Sequence, residues 1–171
     1  PSKSGDPEKV WASALASAGA KANFGDRIPT EKTVREHIAF SPANSSSIHA
    51  CITRARTNAR SVRTALTVEL WEAINSAWNA LADVGQPKRR DDFTTFLAWV
   101  KSVTLSVEGA TSRTMLRNDA YWFIRLGAAV ERADNTARLL DVKYHLLLPE
   151  EERVGGHLDY FQWTTLLREV S

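Results

Sequence analysis

The sequence predicts an all-α protein, a single-domain helical bundle of about five to seven helices over residues 1–171. Apolar residues recur every three or four positions along several long segments, which is the period of an amphipathic helix. Capping residues, glycines and prolines separate these segments at short intervals. No segment combines the alternation of a strand with the turn pairs of a β-sheet. A chain of 171 residues is long enough to bury one substantial core.

The first predicted helix lies in "DPEKVWASALASAGA". Asp6 is its candidate N-cap, and Pro7 occupies the first helical position, where the missing N–H of proline costs nothing. Gly19 and Gly25 mark the end of the helix and a loop.

The second predicted helix is "PTEKTVREHIAF", with Thr30 as cap and a stop before Ser41-Pro42. The third runs from about Ser45 to Leu66. Its apolar stripe consists of Ile48, Ile52, Ala55, Ala59, Val62 and Leu66.

The fourth predicted helix, "VELWEAINSAWNALADV", has Thr67 as its cap, and Gly85 and Pro87 end it. Its expected inner stripe is Trp71, Ile74, Trp78 and Leu81. Asp91 or Asp92 opens the fifth, "FTTFLAWVKSVTLSVEGATSRTML". Its "VKSVTLSV" portion alternates as a strand would, but the length of the segment and its helical neighbours favour a helix.

The longest predicted helix runs from near Asp119 to Leu147 and stops before Pro149. Its expected buried stripe is Phe123, Leu126, Val130, Ala133, Ala137, Leu140, Tyr144 and Leu147. After a turn at Gly155-Gly156, "DYFQWTTLLREV" predicts a last helix, whose Tyr160, Phe161 and Trp163 form a candidate aromatic docking patch.

Composition narrows the function classes. Twenty-two basic and 20 acidic residues leave a net charge of +2, too balanced for a dedicated DNA-binding arm. The single cysteine cannot form an intrachain disulfide, which favours a reducing, cytoplasmic compartment. No apolar run reaches the roughly 18 residues of a membrane span, so no membrane association is expected. Because the chain starts without Met, we expect a fragment of a longer protein.

Charged residues follow the stripe of the longest helix one position later, which places them along one shoulder of its apolar face. These residues are Glu131, Asp134, Arg138, Asp141 and His145. The third helix carries basic residues in the same relation to its own stripe, namely Arg56, Arg60 and Arg63. Asn58 of the same helix is a further candidate site residue. We therefore predict that the two helices are neighbours and that these arginines pair with Glu131, Asp134 and Asp141.

The same charges have other readings. Charged residues often lie at the border of a packed apolar face without any further role, and exposed ion pairs between them contribute about 0–1 kcal/mol to stability. They could instead line a groove for a ligand or partner. Catalysis has little support, because the chain has no nucleophile elbow, P-loop or HExxH motif. Asp141 and His145 are spaced to share a metal ion, but a site needs three or four ligands, so no metal or cofactor is expected.

The segment "RLGAAVERADNTARLLDVKYHLLLP" resembles the signature of the Alpha-E family, bacterial all-helical proteins named for a Glu-Arg motif, which Glu131-Arg132 match here. The earlier "ITRARTNARSVRTALTVELWEAIN" is similar to the family's arginine-rich and Trp-containing helices. The resemblance spans about 44–149. The chain departs from the family pattern at Thr57, where Glu is usual, and lacks an N-terminal Glu-Arg helix, so it looks like an incomplete copy.

What this resemblance implies is a module of uncharacterised function beside an ATP-grasp-like ligase or a transglutaminase-like peptidase, in making or processing a peptide tag. We therefore favour a helical interaction or substrate-holding role over an enzyme. The alternatives are an enzyme or metal-binding bundle using the Glu131/Arg132 groove, and nucleic-acid binding through Arg56, Arg60 and Arg63. A homo-oligomer is compatible with the sequence.

Overall fold

The computed structural model describes residues 7–84, 92–142 and 155–169. Within these ranges all of the regular structure is helical, so the predicted all-α class is confirmed. The α-helices are α1 (Pro7–Ser17), α2 (Glu31–Phe40), α3 (Ile48–Ser61), α4 (Val68–Val84), α5 (Phe93–Thr114), α6 (Asp119–Val142) and α7 (His157–Glu169).

The first two helices have the predicted ends. Helix α1 starts at Pro7, and the chain turns at Gly19, whose φ of 65° is strained for any residue with a Cβ. The expected cap Asp6 lies outside the described residues. Helix α2 starts after Thr30, whose side chain accepts from the backbone N–H of Thr33, while the Thr33 hydroxyl accepts from the backbone of Thr30.

Helix α3 is shorter than its apolar pattern predicts. It begins at Ile48 rather than Ser45, because Ser47 is the N-cap. The Ser47 hydroxyl accepts from the Ala50 N–H (3.1 Å) and donates to the Ser41 carbonyl (2.8 Å). The predicted end near Leu66 is replaced by a 3₁₀ turn at Arg63–Ala65.

Helix α5 settles the choice between strand and helix for "VKSVTLSV". All of that segment is helical, and Asp92, one of the two expected openers, is the N-cap. Its carboxylate accepts from the Thr95 N–H at 3.0 Å. The phenyl ring of Phe96, one turn into the helix, is 1% exposed and packs against Phe40 of α2 with ring centroids 4.6 Å apart.

The core runs between neighbouring helices. Helix α4 packs between α3 and α5, and α2 packs on α3. Leu70 at the start of α4 is buried with Met115 after α5 and Tyr121 at the start of α6. The end of α1 and its following loop pack on α2 through Leu15, Phe24 and Val34.

A buried polar group ties α2 to that loop. His37 is fully buried, and its Nδ1 lies 2.9 Å from the guanidinium of Arg27. Because arginine can only donate, Nδ1 accepts, and Nε2–H donates to the Ala20 carbonyl at 3.1 Å. The Phe24 ring packs edge-on against the imidazole, and the Arg27 guanidinium stacks on that ring. The histidine therefore fixes the loop by packing and by hydrogen bonds at both nitrogens.

The predicted burial of the α6 stripe is wrong. Phe123 is 73% exposed, Leu126 56% and Val130 61%, and Leu140 is exposed too. The first turns of α6 reach the core through Tyr121, and the stripe beyond them is largely exposed. The periodicity correctly predicts one apolar face, but the described residues do not cover it. The stripe residues Tyr144 and Leu147, and Pro149 beyond them, lie outside the described residues.

Helix α7 is present as predicted, and its Tyr160 and Phe161 are exposed, while Trp163 is half-buried. No helix in the described part of the chain combines the length and apolar character needed to cross a membrane.

Candidate functional site

The Glu131-Arg132 pair lies in the middle of α6, and both side chains are exposed. The Glu131 carboxylate accepts a short hydrogen bond from the side-chain amide of Asn135, one turn further on. Arg132 borders a groove of about 550 Å³ that follows α6. The groove is lined by Arg125, Ala128, Ala129, Arg132, Ala133, Thr136, Ala137 and Leu140. The small side chains of this set open the groove, and the two arginines give it a basic edge.

Asp134 and Arg138 pair along the same helix. The Arg138 Nε donates to Asp134 Oδ2 at 2.8 Å, and this hydrogen bond, together with the negative charge of Asp134, raises the pKa of Arg138. The Arg138 guanidinium also lies against Gly19, where an added Cβ would come within 2.7 Å of it. Arg138 therefore connects the far half of α6 to the end of α1.

The arginines of α3 are directed to α4. The Arg56 guanidinium stacks on the Trp78 ring, 3.9 Å from its centroid, and its Nε donates to Asn75 Oδ1 at 3.0 Å. Arg63 lies over the Trp71 ring at 5.3 Å and donates to the Leu66 carbonyl. These are cation–π contacts, which position a guanidinium without a carboxylate partner. Arg60 is exposed on the same helix.

An apolar pocket of about 360 Å³ opens where α3, α4 and α5 meet the first turns of α6. Its floor includes the buried Leu70, and its edge includes the exposed Val62 and Phe123. Asn58 and Thr111 are the polar members of a lining completed by Ala55, Ala59, Ala65, Leu66, Ile74, Val107, Ala120 and Ile124. The pocket remains open because four of its lining residues are alanines, whose side chains are too small to fill it. Alanine at stripe positions, such as Ala55 and Ala59, is the signal in the sequence that could have revealed it.

The comparison with family models decides what kind of domain this is. A model described as a predicted alpha-helical domain with a conserved ER motif matches residues 2–171. The chain belongs to the Alpha-E family. The match covers essentially the whole chain, and is thus wider than the span 44–149 that carries the sequence resemblance. No curated protein and no solved structure gives a significant match to the chain.

In this Alpha-E chain the expected ionic seam between α3 and α6 is wrong. All six side chains of the proposed seam are described, and none of the three arginines forms an ion pair with Glu131, Asp134 or Asp141. The tryptophan rings of α4 offer two of the arginines a closer, partly dehydrated partner. Meanwhile the charges of α6 pair along their own helix, because residues four apart are neighbours there.

The remaining site residues are separated by this arrangement. Asn58 lines the apolar pocket, Asp141 is exposed near the end of α6, and His145 lies outside the described residues. Within the described ranges, no three His, Cys, Asp or Glu side chains lie close enough together to hold a metal ion. Two surfaces therefore stand out: the apolar pocket with Asn58 at its edge, and the groove along α6 beside Glu131-Arg132. The arginines of α3 belong to neither surface.

Proposed function

We propose that this Alpha-E domain is an interaction and substrate-holding module whose apolar pocket receives an apolar side chain from a partner protein. The observation that carries the proposal is the pocket itself, with apolar residues both on its floor and at its exposed edge. Pockets of about 300–1,000 Å³ with an apolar lining and few polar groups are the usual form of a binding site.

The energetics favour a side chain as the occupant. Burying one Leu or Phe side chain from water contributes about 1.5–3 kcal/mol. A contact of this kind acts as an anchor, around which a wider interface excludes water. Asn58, at the edge, offers an amide that can both donate to and accept from the backbone of the docked segment.

The partner in this proposal is chosen from the Alpha-E resemblance. It is an ATP-grasp-like ligase or a transglutaminase-like peptidase that makes or processes a peptide tag, with the ligase as our first candidate. In this arrangement the Alpha-E chain holds the partner or its peptide substrate and has no catalytic role.

The test is isothermal titration calorimetry of the chain against an ATP-grasp-like ligase from the same organism. Phe123→Ser removes an apolar edge residue of the pocket, and we expect it to weaken binding at least about tenfold. Leu105→Ser is the matched control, because Leu105 is also exposed but does not line the pocket.

Equal affinities of the two variants would place the contact elsewhere. Absence of binding by the unchanged chain to the ligase and to the peptidase would contradict the proposal as a whole. Circular dichroism of both variants verifies that neither loss comes from unfolding.

A second candidate is a ligand-processing site in the groove along α6. It is favoured by the position of Arg132, whose guanidinium borders the groove and has no carboxylate partner among the described residues. Arginine binds carboxylates and phosphates through paired donors. Nuclear magnetic resonance titration with amino acids and nucleotides tests it: shifts confined to α6 support the groove, and no shifts contradict it.

Nucleic-acid binding has weaker support than either. Arg56 and Arg63 are already stacked on tryptophans of α4. A filter-binding assay would revive this alternative if affinity fell steeply with salt, as phosphate contacts require.

A further inference from the structure

We infer that α6 binds α6 of a second copy of this chain, with the two helices side by side and parallel. The contact surface, here called the outer face, consists of Leu126, Val130, Ala133, Ala137 and Leu140. Its large members are 56%, 61% and 40% exposed for Leu126, Val130 and Leu140 respectively. This self-association goes beyond the proposed function and uses a different surface.

The apolar spacing of the outer face is that of a helix with a helical partner. Successive members are separated by four, three, four and three residues, the pattern that places apolar side chains on a seam between two helices. The face extends about 21 Å along the helix axis at 1.5 Å per residue. A continuous apolar strip of this length is unusual on a surface that contacts only water.

The charges beside the face select a second copy. Arg132 and Asp134 directly precede and follow Ala133, so at about 100° per residue they lie on opposite flanks of the face. Arg125 lies seven residues before Arg132, and Asp141 seven residues after Asp134, which repeats the same two flanks. One flank of the outer face is therefore basic. The other carries Arg138 beside Glu131, Asp134 and Asp141, and is acidic on balance.

Only a parallel pair brings these flanks into opposite-charge contact. When two identical helices are related by a two-fold axis parallel to them, the basic flank of one faces the acidic flank of the other. An antiparallel pair would bring basic against basic and acidic against acidic. Flanking charges of this kind set the orientation of paired helices, and closed two-fold dimers are the commonest protein assemblies.

The side chains needed for the pairing are available. Asp134 uses Oδ2 for Arg138 and has Oδ1 left as an acceptor among the described residues. Arg132 has no carboxylate partner in the described part of the chain. Arg125 is already paired with Glu108. The main contact is therefore between Arg132 and Asp134 of the second copy, and it occurs twice by symmetry.

The small residues of the outer face let the helices approach. Ala133 and Ala137 have little side chain between the two backbones, and the distance between packed helices depends on the side chains at the contact. The apolar pocket at the first turns of α6 lies before the outer face along the helix, so the dimer leaves it open.

The test is sedimentation equilibrium of charge-reversed variants. Arg132→Asp places an acidic residue on both sides of Ala133, and Asp134→Arg places a basic residue on both sides. Each variant alone is expected to dimerise at least about tenfold more weakly than the unchanged chain, because both symmetric pairs become repulsive. An equimolar mixture should dimerise again, because each mixed pair joins Asp to Arg.

Two further variants keep the test specific. Val130→Glu, in the centre of the outer face, should give monomers. Glu72→Arg, an exposed reversal on α4, should leave the dimer unchanged. Circular dichroism verifies that all variants are folded.

The inference would be overturned if the unchanged chain remained monomeric up to about 100 µM, a weak limit for a specific dimer. It would also be overturned by dimers that resist Val130→Glu, or by a mixture no more dimeric than its components. In the first case a different occupant, such as a partner protein, covers the face. Ligase binding that survives monomerisation would show that the proposed function stands independently.

Discussion

Helices α4 and α6 have the same kind of sequence pattern and opposite surroundings. Both carry apolar residues every three or four positions. In α4 the faces are covered by α3 and α5, so that Leu70 and Leu81 are buried. In α6 the corresponding face is open, and Leu126 and Val130 are mostly exposed. The comparison teaches that periodicity identifies a face meant for contact, whereas the element that covers it depends on the rest of the assembly.

The charges beside these faces differ in the same way. On α3, Arg56 and Arg63 stack on the tryptophans of α4, and so serve the packing within the chain. On α6, among the residues that the structure describes, Arg132 has no carboxylate partner, and Asp134 pairs with Arg138 on its own helix. The charges of α6 that are not used in packing between helices are available for a partner, which is why the proposed self-association involves α6.

The largest expected effect compares a phenylalanine in the covered region with one on α6. Phe96→Ala should lower the free energy of unfolding by about 3–5 kcal/mol, because it leaves a cavity beside Phe40. Phe123→Ala should change it by less than about 0.5 kcal/mol, since the ring is largely in water. Urea denaturation at low protein concentration measures both. Similar losses for the two variants would mean that α6 is covered in the monomer.

The second effect concerns the buried imidazole of α2. His37→Ala should destabilise the chain by about 2–4 kcal/mol, because it removes core packing and the hydrogen bonds of both imidazole nitrogens, to Arg27 and to the Ala20 carbonyl. His157→Ala is the matched control on the exposed start of α7 and should be nearly neutral. A neutral His37→Ala in the same denaturation assay would contradict the assigned hydrogen bonds.

A smaller effect is expected for the arginines of α3. Arg56→Ala should cost about 1 kcal/mol through the lost stacking on Trp78 and the lost bond to Asn75. Arg60→Ala, on the exposed side of the same helix, should cost almost nothing. If the two substitutions gave equal losses, the stacking on α4 would not be what distinguishes these arginines.

The smallest effect is a dependence on pH at the start of α5. Hydrogen bonds from the side chain and backbone of Thr95 hold the pKa of Asp92 below its usual value. Because the folded pKa is the lower one, the stabilisation is complete above the unfolded value of about 3.9 and is lost as the pH falls through the folded value. Thermal melts between about pH 6 and pH 2 should show a steeper loss for the unchanged chain than for Asp92→Asn, whose amide caps without titrating.

Much of the fold was predictable because it depends on local chemistry. Thr30 and Asp92 satisfy the first N–H groups of their helices wherever the helices pack, so their roles follow from sequence. The start of α3 was missed because Ser45, Ser46 and Ser47 are chemically equivalent caps. Only the contact of Ser47 with the Ser41 carbonyl distinguishes them.

The candidate site was less predictable, because it depends on distant parts of the chain. The positions of Glu131 and Arg132 on one exposed helix follow from the sequence, but their partners do not. The ionic seam failed because Trp71 and Trp78 accept the arginines of α3, a competition that helical spacing does not reveal. Trp71 and Trp78 were expected in the core, but both are only half-buried, and Leu70 of the same helix is more deeply buried.

Hydrogen–deuterium exchange of the isolated chain tests most directly whether the outer face of α6 is uncovered. At a concentration low enough to keep the chain monomeric, the amides of residues 126–140 should exchange at least about tenfold faster than those of residues 70–81 in α4, since fewer contacts oppose local opening. Raising the concentration should slow exchange in α6 alone. Equal protection of α4 and α6 in the dilute chain would contradict the account.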